Sequence, residues 1–172
     1  MSAQAPPRPG DGDARAPPPR GLARRFALVL ATGFGAGYVP WAPGTAGTLV
    51  AVPLYLALAR LAPWLQLLTI GAFVAIAIWA ADHAGRYFGN SDDGHIVSDE
   101  IAGYLVTLAL VPVSTRAAIV GFVLFRLFDI VKPWPASYFD REVKNGFGNV
   151  LDDVVAGLYG RICLAVVLRV WG

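Results

Sequence analysis

Arg126, Asp129 and Lys132 follow one another at intervals of three in FRLFDIVKPWP, so a helix would set two cations and one carboxylate on neighbouring turns of one side. Pro133 and Pro135 end such a helix at once and leave the charged stripe at the mouth of an apolar stretch. A self-neutralising ion pair on a solvated face is one explanation. A functional site is the other, and it is the default for charge beside so apolar a helix. Two acid pairs also stand at the start of apolar runs: Asp99-Glu100 after Ile96-Val97-Ser98, and Asp152-Asp153 after Asn145-Gly146-Phe147-Gly148. The helix dipole and capping account for one acid at each start. A second adjacent acid repels the first unless a cation intervenes, and ligands that offer only oxygen favour a hard cation such as magnesium over zinc. With Asp129, the two pairs bring five carboxylates to one or two such ions, whose water is then available for attack on a phosphorus atom.

The segment Tyr38-Val39-Pro40-Trp41-Ala42-Pro43-Gly44-Thr45-Ala46-Gly47-Thr48 offers a Gly-Thr turn feeding a helix, with free N–H groups and a hydroxyl that suit an anion. It has no lysine and is no Walker loop. Taken alone, such a segment is more often a plain turn between two apolar helices. Several chemistries lack their material: only His83 and His95 are available as histidines, and the one cysteine, Cys163, lies in an apolar run with no basic loop after it. Asp11 and Asp13 form an Asp-x-Asp pattern, but no strand precedes them.

The elements that must position these groups are apolar. Hydrophobic residues make up 56% and charged residues 15% of the 172, which favours a membrane class and one domain. A net charge of +2 does not indicate nucleic acid as a partner. Residues 1–20 are rich in Pro, Gly, Ala and Arg and are expected to be a disordered tail, not a signal peptide. Residues 21–172 form the helical membrane domain. Between residues 26 and 59 no charge occurs, and glycines and prolines divide the run into a short helix, a loop and a second helix. Residues 61–81 have the length to span a hydrocarbon core of roughly 30 Å. Residues 101–112 and 117–125 are each too short to span straight, and so form an extended or bent pair joined at Ser114, Thr115 and Arg116. Residues 154–171 make the last helix, in which Arg161 must snorkel or face the bundle interior. No sustained strand alternation appears, so the expected fold is all-α: a small integral-membrane bundle with its polar loops and helix ends gathered at one face. Arg24 and Arg25 place the N-terminus inside and make that face cytoplasmic.

Taken together, ATGFGAGYVPWAPGTAGTLVAVP, HIVSDEIAG and FRLFDIVKPWPASYFDREVKNGFGNVLDDVVAG, in this order, resemble the phosphatidylglycerophosphatase A family of bacterial membranes. The resemblance covers most of the chain after the tail. It implies a multi-pass helical protein of the bacterial inner membrane that hydrolyses phosphatidylglycerophosphate to phosphatidylglycerol, with magnesium as cofactor and membrane lipids as surroundings. Carried across the matching motifs, it marks Asp99, Glu100, Asp129, Asp152 and Asp153 as metal ligands, with Asp129, Asp153 and Asp99 central to catalysis. Thr45, Arg126, Lys132 and Arg141 become the phosphate-binding residues. The stretch from Asn145 to Val150 departs from the family's Gly-Gly-x-Gly-Ile-Met form, which alters the expected turn. Two alternatives stay open: a phosphatase for another lipid or soluble phosphomonoester, and a small membrane transporter or ion-binding protein, for which buried acids and broken helices are also natural.

Overall fold

Proline and glycine set the limits of the longest helices. The structure, a computed structural model, describes residues 21–171; the expected tail, with Asp11 and Asp13, lies outside the described residues. Among the described residues there are seven α-helices and no strand: α1 (Leu22–Ala31), α2 (Pro43–Leu58), α3 (Pro63–Phe88), α4 (Ser98–Thr107), α5 (Thr115–Val131), α6 (Ala136–Glu142) and α7 (Gly146–Trp171). A single 3-10 turn, Ala36–Tyr38, joins α1 to α2. Pro43 and Pro63 open α2 and α3, where a missing N–H costs nothing. Gly89 closes α3 in the left-handed conformation at φ 81°.

Three expectations are corrected. The spanning segment does not stop at residue 81 but runs on to Phe88, because Asp82 and Arg86 pair one turn apart at 2.6 Å and keep the polar end helical. Asp152 and Asp153 do not open α7; the helix starts at Gly146, so the glycine-bearing stretch is its first turn rather than a loop. The side chain of Asn145 accepts the N–H of Gly148 at 3.0 Å and does the capping that had been given to the aspartates. Lys132 does not share a helical stripe with Arg126 and Asp129: it stands beyond α5 at φ 45°, since the following Pro133 excludes the helical conformation. The polar segment after it also forms α6, which the apolar pattern had not indicated.

Short helix α4 is the centre of the bundle, packed against α2, α3 and α7. Its approach to α7 is close because both helices present glycine at the crossing. A Cβ on Gly157 would collide with the carbonyl of Gly103, and one on Gly103 would lie 2.6 Å from the carbonyl oxygen of Asp153. The Thr107 hydroxyl sits over the same crossing, 3.0 Å from the Gly103 carbonyl and 3.2 Å from that of Gly157. Tyr55, Ile101, Tyr104, Leu108, Phe125 and Leu164 fill one buried cluster. Alanines of α1 and α3, with Ile96 and Val150, fill the other.

α3 and α7 are long and apolar enough to cross a membrane, and only 28% and 22% of their apolar windows are buried inside the protein. Core helices of a soluble protein would be mostly buried; these two turn their apolar faces outward, as helices in lipid do. The starts of α2 and α4, the ends of α3 and α5 and the early turns of α7 share one end of the bundle. The opposite end is tied by hydrogen bonds from Tyr55 Oη to the Pro112 carbonyl at 3.1 Å and from the Leu110 N–H to Gln66 Oε1 at 3.1 Å. Arg116 reaches the Trp171 carbonyl there at 2.7 Å. Arg161, as expected, turns inward and donates to the Ala109 carbonyl at 2.8 Å.

Gly157→Val is expected to cost about 1–3 kcal/mol by overpacking the α4–α7 crossing. Thermal unfolding in detergent reads this as a lowered midpoint.

Candidate metal and phosphate site

At the shared polar end, the first turn of α4 faces the second and third turns of α7. Asp99 and Glu100 come from the former and Asp152 and Asp153 from the latter. One oxygen each from Asp99, Glu100 and Asp153 can be chosen so that all three lie within 4.8 Å of one another, a span that one ion can bridge. Asp129 joins from the last turns of α5, where its Oδ2 lies 2.7 Å from Arg126 Nη1. Arg126 Nη1 is also 3.9 Å from Glu100 Oε1. The Arg126–Asp129 contact is close in distance but misaligned, and Nη1 is buried without a well-formed hydrogen bond.

Lys132 enters from outside the helices. Its ammonium group pairs with Asp152 Oδ2 and lies 3.2 Å from Asp140 of α6. Burial opposes its charge, but the carboxylates of Asp152, Asp153 and Asp129 outweigh burial and hold Lys132 protonated well above its usual range. Asp99 shows the opposite effect: burial, then the neighbouring charges of Glu100 and Asp152, push its carboxyl well above the ordinary range. Burial also raises Glu100, a push that the hydrogen bond with Asp99 and the Arg126 guanidinium reduce and Asp129 reinforces.

The resulting cavity, about 220 Å³, is lined by eight acidic residues and the cation Lys132; Asp99, Glu100, Asp129, Asp152 and Asp153 are buried or mostly so, while Asp92 is exposed, Asp93 pairs with His95 at 2.6 Å and Asp140 lies at the partly exposed edge. Like charges at this density in a buried place are unfavourable without a counter-cation. Glu100 Oε2 and Ser98 Oγ are buried with no hydrogen-bond partner. Unpartnered oxygens, an all-oxygen donor set and a three-carboxylate cluster fit a hard metal cation.

All five expected metal ligands therefore meet, and so do Arg126 and Lys132. Thr45 lies on the first turn of α2, beside Gly44, whose absent side chain leaves room for Glu100 and Arg126; a Cβ there would be 2.9 Å from Arg126 Nη1. Pro43 of the same turn lines the cavity, whereas Thr45 does not. Arg141 is exposed on α6 and the structure gives it no place in the cavity. Sequence reasoning missed Asn149, whose amide donates to Asp99 Oδ2 at 2.5 Å from one turn before Asp152. It also missed Asp140, and Asp92 and Asp93 from the loop after α3. Asn149 had a signal: it falls three and four residues before Asp152 and Asp153, on their face of the helix.

Fold and site together are those of a helical protein with two outward-facing apolar helices and a cluster of acids that could hold a metal ion. Residues 29–168 match the phosphatidylglycerophosphatase A family, and the chain belongs to it. It is 39% identical to phosphatidylglycerophosphatase A of Escherichia coli over 132 residues, 76% of each chain. It is 35% identical to the protein of the same name from Haemophilus influenzae, covering 83% of this chain and 88% of that one. A protein of Bacteroides thetaiotaomicron, named provisionally as a phosphatidylinositol-3-phosphatase, is 40% identical over 84% of this chain and 95% of its own length. No solved structure matches the chain at a significant level.

Two outcomes follow from this charge arrangement. Carboxyls raised by burial bind protons more tightly in the folded chain than in the unfolded one, so Asp99 and Glu100 make the metal-free protein lose stability as pH rises from the ordinary carboxylate range to their raised values. Thermal scans in chelator should show that loss with rising pH, and a divalent cation should reverse it increasingly as the carboxyls ionise. Asn149→Ala should weaken metal-induced stabilisation by about 10- to 100-fold in apparent affinity, measured by titrating the cation during thermal unfolding.

Proposed function

We propose that this chain removes the terminal phosphate of phosphatidylglycerophosphate to leave phosphatidylglycerol, with magnesium as cofactor. The observation that carries this reading is the cavity of acidic residues, five of them buried or mostly so, with one lysine, in a chain of this family. A phosphate monoester has the same sign as that cavity and is repelled by it unless a multivalent cation stands between them. Two relatives carry the name phosphatidylglycerophosphatase A, which supplies the substrate.

Asp99, Glu100 and Asp153 would hold magnesium, with Asp129 and Asp152 completing the carboxylate wall. When bound, the ion supplies charge neutralisation at the phosphate and an oriented water. Arg126, with an N–H direction left over at Nη1, binds a phosphate oxygen; Lys132 draws a second one while its pairs with Asp152 and Asp140 loosen. The first turn of α2 borders the cavity through Pro43, and Thr45 of the same turn is the residue from which a further hydroxyl could reach phosphate. In the reaction a bond forms between a water oxygen and phosphorus, and the bond from phosphorus to the glycerol oxygen breaks. The water proton passes to a carboxylate of the wall, which returns it to the departing glycerol oxygen. Holding these groups in place supplies the rate.

The site faces the cytoplasm across the bacterial inner membrane in this reading. Support comes from the basic start of α1: the Arg24 guanidinium lies 5.1 Å over the ring of Tyr87 at the end of α3, the end that carries the acids. Basic residues near membrane ends stay cytoplasmic. A second substrate reading, a phosphoinositide monophosphate, is favoured by the Bacteroides relative.

Phosphate release from phosphatidylglycerophosphate in detergent should require magnesium, stop with chelator, and exceed release from phosphatidylinositol 3-phosphate or phosphatidic acid; equal or greater release from the phosphoinositide would shift the assignment to that lipid. Asp129→Asn and Asp153→Asn should each lower turnover by about 100-fold or more while helical content is kept. Arg126→Ala should raise KM by roughly 10-fold, the loss of one charge-assisted hydrogen bond to phosphate, and an unchanged KM would remove that role.

A further inference from the structure

Three of the helices that border the acidic site, α2, α4 and α5, also line an open apolar groove farther along their length. α2 and α5 both pack on α4 but barely touch each other, and the gap between them is a cavity of about 360 Å³ with Tyr104 among its lining residues. Its lining comes from Leu49 and Val52 of α2, and from Ala118, Phe122 and Val123 of α5. Each helix enters the groove about one turn from its contribution to the site: Tyr104 follows Glu100 by four residues, Phe122 precedes Arg126 by four, and Leu49 follows Gly44 by five. One turn is roughly 6 Å of helix. The far end is set by Thr115, eleven residues from Arg126, or roughly 16 Å along α5. That depth is one leaflet of a hydrocarbon core roughly 30 Å thick. Leu49, Ile119 and Val123 are more than half exposed, so the groove opens sideways toward lipid.

We propose that this groove receives one acyl chain of the substrate lipid, in register with a headgroup phosphate held at the acidic site, and so selects membrane-borne esters over soluble ones. The proposal rests on the reading of the site as one for a lipid phosphate. Continuity of the same three helices from phosphate site to groove names the occupant: a molecule with an anionic ester at one end and a hydrocarbon chain one leaflet long. The groove's polar lining is almost nil, since the Tyr104 hydroxyl is engaged with the Ala118 carbonyl at 2.8 Å, so it offers binding by burial of methylenes alone.

The test uses the full chain in vesicles, with magnesium present, and a non-hydrolysable phosphonate analogue of phosphatidylglycerophosphate bearing a photoreactive diazirine midway along one acyl chain. Cross-links mapped to Leu49, Val52, Ile119 or Val123, and displaced by the unlabelled analogue but not by phosphatidylcholine, are the expected result. Labels scattered over the outward faces of α3 and α7, or displaced equally by both lipids, would overturn it. As a second measurement, Ala118→Phe and the exposed rim change Ile119→Trp should lower by about 10-fold the ratio of kcat/KM for the diacyl ester to that for its deacylated, water-soluble counterpart. A constant ratio in folded Ile119→Trp would also overturn the groove. Labelling needs no turnover, so a wild type that hydrolyses neither ester sinks the substrate reading alone and leaves the cross-links to decide the groove.

Discussion

Repulsion among carboxylates buried at one end of an apolar bundle is the constraint on which the rest of this structure depends. Asp99, Asp152 and Asp153 are almost fully buried, and Glu100 and Asp129 are mostly so. Lys132 and Arg126 answer only part of that charge. A fold that tolerates such a cluster is held by interactions elsewhere, and the cluster itself is ready to bind a cation that makes it favourable. Binding and stability are then the same free energy, read once as affinity and once as resistance to unfolding.

What pays for the strain is close helix packing. Glycine at the α4–α7 crossing lets the two backbones approach until the acids at their polar ends share one ion-sized space. Bulk at this crossing would separate Asp99 and Glu100 from Asp153 as well as cost packing energy. The same economy of side chains recurs at Gly44, where the start of α2 comes up against Glu100 and Arg126. Below these contacts the helices diverge again. α2 and α5 part on either side of α4, and an apolar groove lies between them, lined by residues about a turn along each helix from the acidic end.

Much of the site was legible in sequence because its chemistry is unusual for its surroundings. Acid pairs beside long apolar runs stand out, and Asp99-Glu100 does sit in the first turn of α4 as their spacing indicates. The reason given for Asp152-Asp153 did not hold: those residues lie inside α7, and Asn145 caps the helix in their place. Asp140 went unnoticed because a polar residue in a polar segment carries no contrast, whereas Asn149 could have been found from its helical spacing to Asp152 and Asp153. Arg141, marked by the resemblance, is carried outward by α6, a short helix with too few apolar residues to announce its direction.

The sequence by itself determined that the chain is helical and lipid-facing, that its acids are concentrated in two islands, and that its motifs are those of one phosphatase family. These properties follow from composition, periodicity and local order along the chain. Only the tertiary structure decided which acids meet. Asp99 and Asp153 are 54 residues apart, and Lys132 reaches Asp152 by leaving its own helix at a left-handed residue before proline. Distances of this kind are set by how closely helices cross, and that depends on glycines on two different helices facing each other, which no local pattern in the chain records.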